Sequence, residues 1–338
     1  MTGVFADNRG NYNVAHKTKA RGGTREAEGA GMDYEGQICR APMERSAYKL
    51  PVMVGCIYNQ CRFCDLFKHL KFRVIPLEEV EADIRRAHAA GGKPRKIFLG
   101  DGSAFALETS HLLKILELLH KYFGPDLEVN MNATVSSILG KSDEELRNLA
   151  ENGVRHLYIG LESGLEDVLS FMNKGNTVSQ LREAVTRLHE YGMCFDAHIM
   201  TGAAGHGRGP ENAAATAEVL TSLDATSATN FSMFIHHEVP LYQNVLDGTF
   251  TPASEYENLL EDKHLIQLIS EKLLAKGGQT MRYESFHDFI AFHAWGTLPQ
   301  DKDRMLARLD KAIEEYRTKQ DVVSIIAPGS TFEIKSAY

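Results

Sequence analysis

Apolar and polar positions alternate along the chain between two rhythms, a short strand-like run and a longer helical spacing. Leu50-Pro51-Val52-Met53-Val54 is the first strand candidate, and a helix is expected from about Leu77 to Ala90, with Pro76 near its first turn and Gly91-Gly92 beyond its last. Lys96-Ile97-Phe98-Leu99 forms a second strand, and Leu112, Leu113, Leu116 and Leu119 give its helix an apolar face that stops at Gly124-Pro125. Leu127 to Met131 is a third strand. Ser142-Asp143-Glu144-Glu145 has the form of a capping box, in which Ser142 and Glu145 each satisfy a free backbone donor, so it predicts a helix start. His156 to Gly160 is the fourth strand, and Thr177-Val178-Ser179-Gln180 repeats the capping-box form before Leu181, Val185 and Leu188. Phe195 to Met200 and Asn230 to Ile235 are the fifth and sixth strands.

Strands separated by helices imply a parallel sheet, because a parallel neighbour needs a crossover connection. Six units are too few for a closed eight-fold barrel. The pattern predicts an α/β fold, a partial (βα)6 TIM-like barrel with chemistry at the carboxyl ends of its strands; a flatter doubly wound sheet is the alternative. From about His236 the rhythm fails. Helices are expected from Leu259 to Lys276 and from Met305 to Tyr316, with a loop-like stretch from Arg282 to Asp301 between them. The chain therefore divides into an N-terminal arm (1–44), the barrel (45–235) and a mostly helical C-terminal extension (236–338) covering the barrel. The arm, polar and glycine-dotted from Met1 to about Gly31, reads as partly disordered.

The formal charge of −8 argues against a broad nucleic-acid footprint, which rests on basic surface neutralising phosphates. No run approaches a membrane span of about 18 apolar residues, and the first residues lack the apolar core of a signal peptide. Three of the five cysteines, Cys56, Cys61 and Cys64, fall within nine positions, which is metal-site crowding and not a disulfide framework. Three thiolates on one loop suit three corners of an iron–sulfur cluster. Structural zinc would need a fourth ligand, often from a second Cys-x-x-Cys, and none occurs. A reducing, cytoplasmic setting follows.

The loop Gly55-Cys56-Ile57-Tyr58-Asn59-Gln60-Cys61-Arg62-Phe63-Cys64 resembles the Cys-x-x-x-Cys-x-x-Cys motif of the radical S-adenosylmethionine (SAM) superfamily, with a first gap one residue longer. The resemblance implies a [4Fe–4S] cluster on the three cysteines, its open iron binding SAM, and Phe63 beside the adenine. Gly100-Asp101-Gly102-Ser103 stands where the family has a Gly-Gly-Glu segment meeting the amino group of SAM, and Asn132 where relatives carry a polar contact to it. Gly160-Leu161-Glu162-Ser163-Gly164, with Asn173-Lys174-Gly175, resembles the coproporphyrinogen oxidase, methylthiotransferase and elongator-type branches; that likeness gives Glu162 the ribose hydroxyls and Lys174 the carboxylate of SAM. His198 and Gly202 fall in the segment that meets ribose and adenine. Tyr34-Glu35-Gly36, Arg40-Ala41-Pro42 and Leu298-Pro299-Gln300-Asp301-Lys302 resemble a little-characterised iron–sulfur oxidoreductase branch, in which a histidine precedes the Leu-Pro segment as His287 does here.

What the resemblance implies is an enzyme. One-electron reduction of the cluster by a donor such as flavodoxin or ferredoxin splits SAM, and the 5′-deoxyadenosyl radical takes hydrogen from a small-molecule substrate. His287, with His293 and Trp295, is expected to line the substrate pocket as a catalytic residue. The competing expectation is a non-catalytic iron–sulfur or haem carrier that has kept the fold.

Overall fold

The computed structural model describes residues 35 and 39–328, together with the backbone of 3–6 and 12–15. The expectation for the arm lies mostly outside the described residues. Eight strands form one sheet in sequence order: β1 (Tyr48–Pro51), β2 (Lys96–Gly100), β3 (Glu128–Ala133), β4 (Val154–Glu162), β5 (Cys194–Thr201), β6 (Ser227–Ser232), β7 (Met281–His287) and β8 (Phe292–Leu298). Strands β1 to β7 run parallel, and β8 returns antiparallel to β7. The partial α/β barrel expected from the pattern is present, and two further strands extend it.

Helices cover its outer face: α1 (Leu77–Ala89), α2 (Thr109–Phe123), α3 (Asp143–Glu151), α4 (Val178–Glu190), α5 (Gly209–Ser222), α6 (Glu255–Ala275) and α7 (Lys302–Tyr316). The capping boxes at Ser142 and Thr177 start α3 and α4, and a third, Ser254 with Glu257, starts α6. Strand alternation sorts the two faces. In β5, Phe195, Ala197 and Ile199 join the core under the helices, while Asp196 and His198 point the other way, into the lumen.

The stretch from Arg282 to Asp301, read from its pattern as a loop, is instead mostly β7 and β8. Its alternation was hidden because buried positions carry polar residues: Glu284, Ser285, His287 and His293 are all buried. Glu284 meets Arg45, and His287 meets Asp262 and Glu255, partners distant in sequence, so burial of a polar side chain did not mark a loop here.

The lumen is filled. Ala41, Met43 and Ala47 pack against Phe98 of β2 and Tyr158 of β4. Glu44, almost fully buried, accepts hydrogen bonds from Tyr158 Oη at 2.6 Å and Asn130 Nδ2 at 2.9 Å. Beside them His156 Nδ1 lies 2.6 Å from Asp196 Oδ2, and Ser227 donates to the same carboxylate at 2.5 Å. Residues 41–47 thus plug the barrel and leave its mouth, at the carboxyl ends of the strands, as the open face.

Candidate cluster and cofactor site

The cysteine loop leaves β1 through Met53–Val54, which pairs antiparallel with Arg73–Val74 and pinches the loop at its base. Gly55, with φ of 79°, makes the turn into it. Inside, Asn59 Nδ2 donates to Phe67 O at 2.9 Å and Lys68 Nζ to Asn59 O at 2.6 Å. On its far side the Arg62 N–H donates to Met172 O, Asn173 Nδ2 to Gln60 O, and Tyr58 Oη to Asn173 O. The loop is therefore sewn to the segment that carries Lys174. Gly102 holds the opposite wall: a Cβ there would run into Gly55 O and stand 2.8 Å from the Cys56 Cα.

Glu162 ends β4 with φ of 59°, a left-handed conformation that costs energy for a residue with a side chain. That turn brings its carboxylate to Lys174, whose Nζ lies 2.9 Å from Glu162 Oε1. Burial would lower the Lys174 pKa, but Glu162 first, then Cys61, push it above the ordinary lysine value. The ammonium also stands 5.8 Å from the centre of the Phe63 ring. Burial raises the thiol pKa of Cys61, against the pull of Lys174, and takes Cys64 up to about 12. A coordinated metal reverses this by deprotonating the thiol outright.

Gly100 and Asp101 border the same space. Asp101 is buried with Lys49 Nζ at 2.6 Å, and a Cβ on Gly100 would fall 2.5 Å from Lys49 Cε. Asn132 Oδ1 and His198 Nε2 are buried atoms that find no hydrogen-bond partner among the described residues. Burial lowers the His198 pKa, so its ring is neutral at neutral pH. Three thiols, a buried ammonium–carboxylate pair and two orphaned polar atoms at the ends of neighbouring strands are a donor set that fits a cubane cluster with a polar, charged co-ligand. Among the described residues no group of three metal-binding side chains is arranged to hold a single metal ion, whose ligands sit closer together than the corners of a cubane.

Two expected residues make polar contacts with α6. Gly202 turns toward α6: its N–H donates to Glu261 Oε2 at 3.0 Å, and a Cβ would lie 2.6 Å from Asn258 Oδ1. His287 is a correction to the expected pocket. It follows Phe286, so alternation along β7 sends it to the helix-facing side, fully buried, with Asp262 Oδ2 at 3.2 Å and Glu255 Oε2 at 3.6 Å. His293 and Trp295 do face the lumen side, as the outer rungs of a stack with Phe286 and Phe231. The mouth has a second apolar wall that pattern reading missed, where Phe63 packs with Val168, Met172, Met233, Val239, Leu241 and neighbours. Leu241 N–H donates to Arg62 O, so the segment after β6 is fastened to the cysteine loop.

The family model of the Radical SAM superfamily matches residues 50–218. The heme chaperone HemW of Bacillus subtilis is 23% identical over 226 residues, covering 64% of this chain and 57% of that protein, so the chain spans little over half the length of that relative. Coproporphyrinogen III oxidase from Escherichia coli, a radical SAM enzyme, shares the fold with a TM-score of 0.51 at 15% identity, over 68% of this chain and 52% of the other. Methylornithine synthase shares it with a TM-score of 0.51 at 14% identity, over 86% and 75%. Among the described residues no helix is long and apolar enough to cross a membrane.

Proposed function

Since the chain belongs to the radical SAM superfamily, which uses a [4Fe–4S] cluster and SAM, we propose that it is a catalyst that generates a 5′-deoxyadenosyl radical and directs it at a small-molecule substrate. The observation that carries this reading is the buried pair Lys174–Glu162 beside Cys61 and Cys64. A fold kept only to carry a cluster has no need of a desolvated ammonium and a strained carboxylate at its rim, whereas SAM offers a carboxylate and a ribose diol to meet them.

Cys56, Cys61 and Cys64 would hold the cluster, which when bound supplies the electron that splits SAM. Lys174 orients the methionine carboxylate of SAM by charge, and Glu162 accepts from the ribose hydroxyls. Asn132 Oδ1 and the neutral His198 ring offer the remaining polar contacts, and Phe63 gives the adenine an apolar face. The plug 41–47 closes the floor and keeps water from entering there, which a carbon radical requires. A one-electron donor of the flavodoxin or ferredoxin class completes the cycle, in the cytoplasm.

The second reading is a haem or cluster carrier, favoured by the match to a heme chaperone. Anaerobically reconstituted protein, given dithionite and SAM, separates the two. Methionine and 5′-deoxyadenosine forming in equal amounts support catalysis; intact SAM alongside stoichiometric haem binding overturns it.

A further inference from the structure

The inner side of the cysteine loop faces Lys174 and Glu162; its outer flank has no part in the site described above. That flank is built by residues 67–74, which run back along the loop to the pairing of Arg73 with Val54 and of Val74 with Met53. Phe67 O accepts from Asn59 Nδ2, and Lys68 Nζ donates to Asn59 O. Next, Leu70 and Phe72 close on Gly55, where a Cβ would stand 3.8 Å from the Leu70 Cβ and 3.5 Å from the Phe72 Cα. Side chains alternate from there. Leu70 and Phe72 are partly buried, whereas His69, Lys71 and Arg73 are exposed.

This face has the opposite sign to the chain. From Gly55 to Leu77 the basic residues Arg62, Lys68, Lys71 and Arg73 stand against one acid, Asp65, in a protein of formal charge −8. Asp65 is mostly buried, its Oδ2 lying 3.3 Å from His236 Nε2, so it does little to offset the outer charge. Arg73 meets Glu35 at 2.5 Å, but both side chains are about half exposed and water screens such a pair. Two large apolar side chains are also left in solvent: Ile57 on the loop, 51% exposed, and Val74 at its base, 41% exposed. Apolar contacts with a charged rim are the make-up of a protein–protein interface. A nucleic-acid footprint would instead rest on a wide basic surface, and Ile57 and Val74 offer phosphates nothing.

We infer that the outer flank of the cysteine loop is the docking face for the electron donor, and that the donor is a small acidic one-electron carrier protein. The inference rests on the radical SAM reading. The inner side of the loop is taken by the Glu162–Lys174 pair and the cofactor they would bind, so a macromolecule can approach only from outside, where Ile57 is next in the chain to Cys56. The basic rim draws an acidic carrier in and orients it, while the net negative charge of the rest of the chain repels it elsewhere; electrostatics thus selects both the partner and the face. Electron-transfer encounters bury little surface, which suits a patch of a few residues. One electron passes from the reduced carrier to the cluster, and no bond is made or broken.

The test uses the full chain, reconstituted anaerobically, as wild type, Lys71→Glu and Lys93→Glu. Lys93 is exposed just before β2, at the end of the barrel remote from the mouth, so its reversal changes the net charge equally and leaves the face alone. The probes are a purified acidic flavodoxin and an acidic [2Fe–2S] ferredoxin. In calorimetric titration at low salt, at least one should bind wild type and Lys93→Glu alike and Lys71→Glu several-fold more weakly, with the difference lost at high salt. Formation of 5′-deoxyadenosine driven by that carrier should fall several-fold in Lys71→Glu, while formation driven by dithionite, which needs no docking, should match wild type. Binding of neither carrier, equal weakening by both reversals, or a preference for RNA over both carriers would overturn the inference, and cleavage of SAM by wild type with dithionite would leave the functional reading standing. Intact SAM with dithionite, alongside carrier binding weakened only in Lys71→Glu, would overturn the functional reading while the docking face stood.

Discussion

Arg45 Nη2 lies 2.6 Å from Glu284 Oε2, although 239 positions separate the two residues. The pair joins the plug to β7 and ties the two ends of the open sheet across its gap. Glu284 is buried, yet His293 and then Arg45 hold its carboxyl below the usual range against the effect of burial. Because the folded-state value is depressed, the pair stabilises above the unfolded carboxylate pKa and is lost as pH falls through the folded one. Arg45→Ala should cost roughly 1–2 kcal/mol, discounted because the arginine is one-third exposed. Urea unfolding should show that loss at pH 7 and its disappearance at strongly acid pH.

Replacing Lys174 by Ala, or Glu162 by Ala, should weaken SAM binding while the three cysteines still assemble a cluster. A lost charged hydrogen bond is worth roughly 1.5–3 kcal/mol, or on the order of tenfold to a hundredfold in affinity. Calorimetric titration of the reconstituted variants checks this. Unchanged affinity in both would remove them from the cofactor site.

Cys61→Ala should abolish the four-iron cluster, and Gly102→Ala should impair it without touching a ligand. At Gly102 any side chain would strike the Gly55 and Cys56 backbone, and φ of 39° disfavours one in any case. Iron and sulfide content after reconstitution should fall to near zero for Cys61→Ala and well below wild type for Gly102→Ala, with far-ultraviolet dichroism preserved. Full iron loading of Gly102→Ala would show that the loop can shift to make room.

His287 should matter to stability and not to SAM. Burial pushes its pKa down, but Asp262 and then Glu255 prevail and take it up to about 9. Because the folded value is raised, its contribution is complete below the unfolded histidine pKa and fades as pH rises through about 9. Burial also holds Glu261 up to about 7, and a carboxyl raised in the fold likewise loses stabilisation as pH rises. His287→Ala leaves two buried carboxylates without their cation, at a cost of roughly 3 kcal/mol. Thermal unfolding should show a deficit at pH 7 that shrinks as pH rises to about 9, with SAM affinity unaltered. A His287→Ala protein of wild-type stability would refute the clasp between β7 and α6.

What the chain alone determined is what depends on near neighbours. The capping boxes at Ser142 and Thr177, the helical faces and the first six strands are set by spacing within a few residues, and so is the crowding of Cys56, Cys61 and Cys64. The approach of Glu162 and Lys174, twelve positions apart, was legible through the motif that contains both. Only the tertiary structure decided which side of the sheet His287 faces, because one residue of register along β7 exchanges lumen for helix. It alone made strands of 281–298, whose polar residues are buried against Arg45, Glu255 and Asp262 from remote parts of the chain.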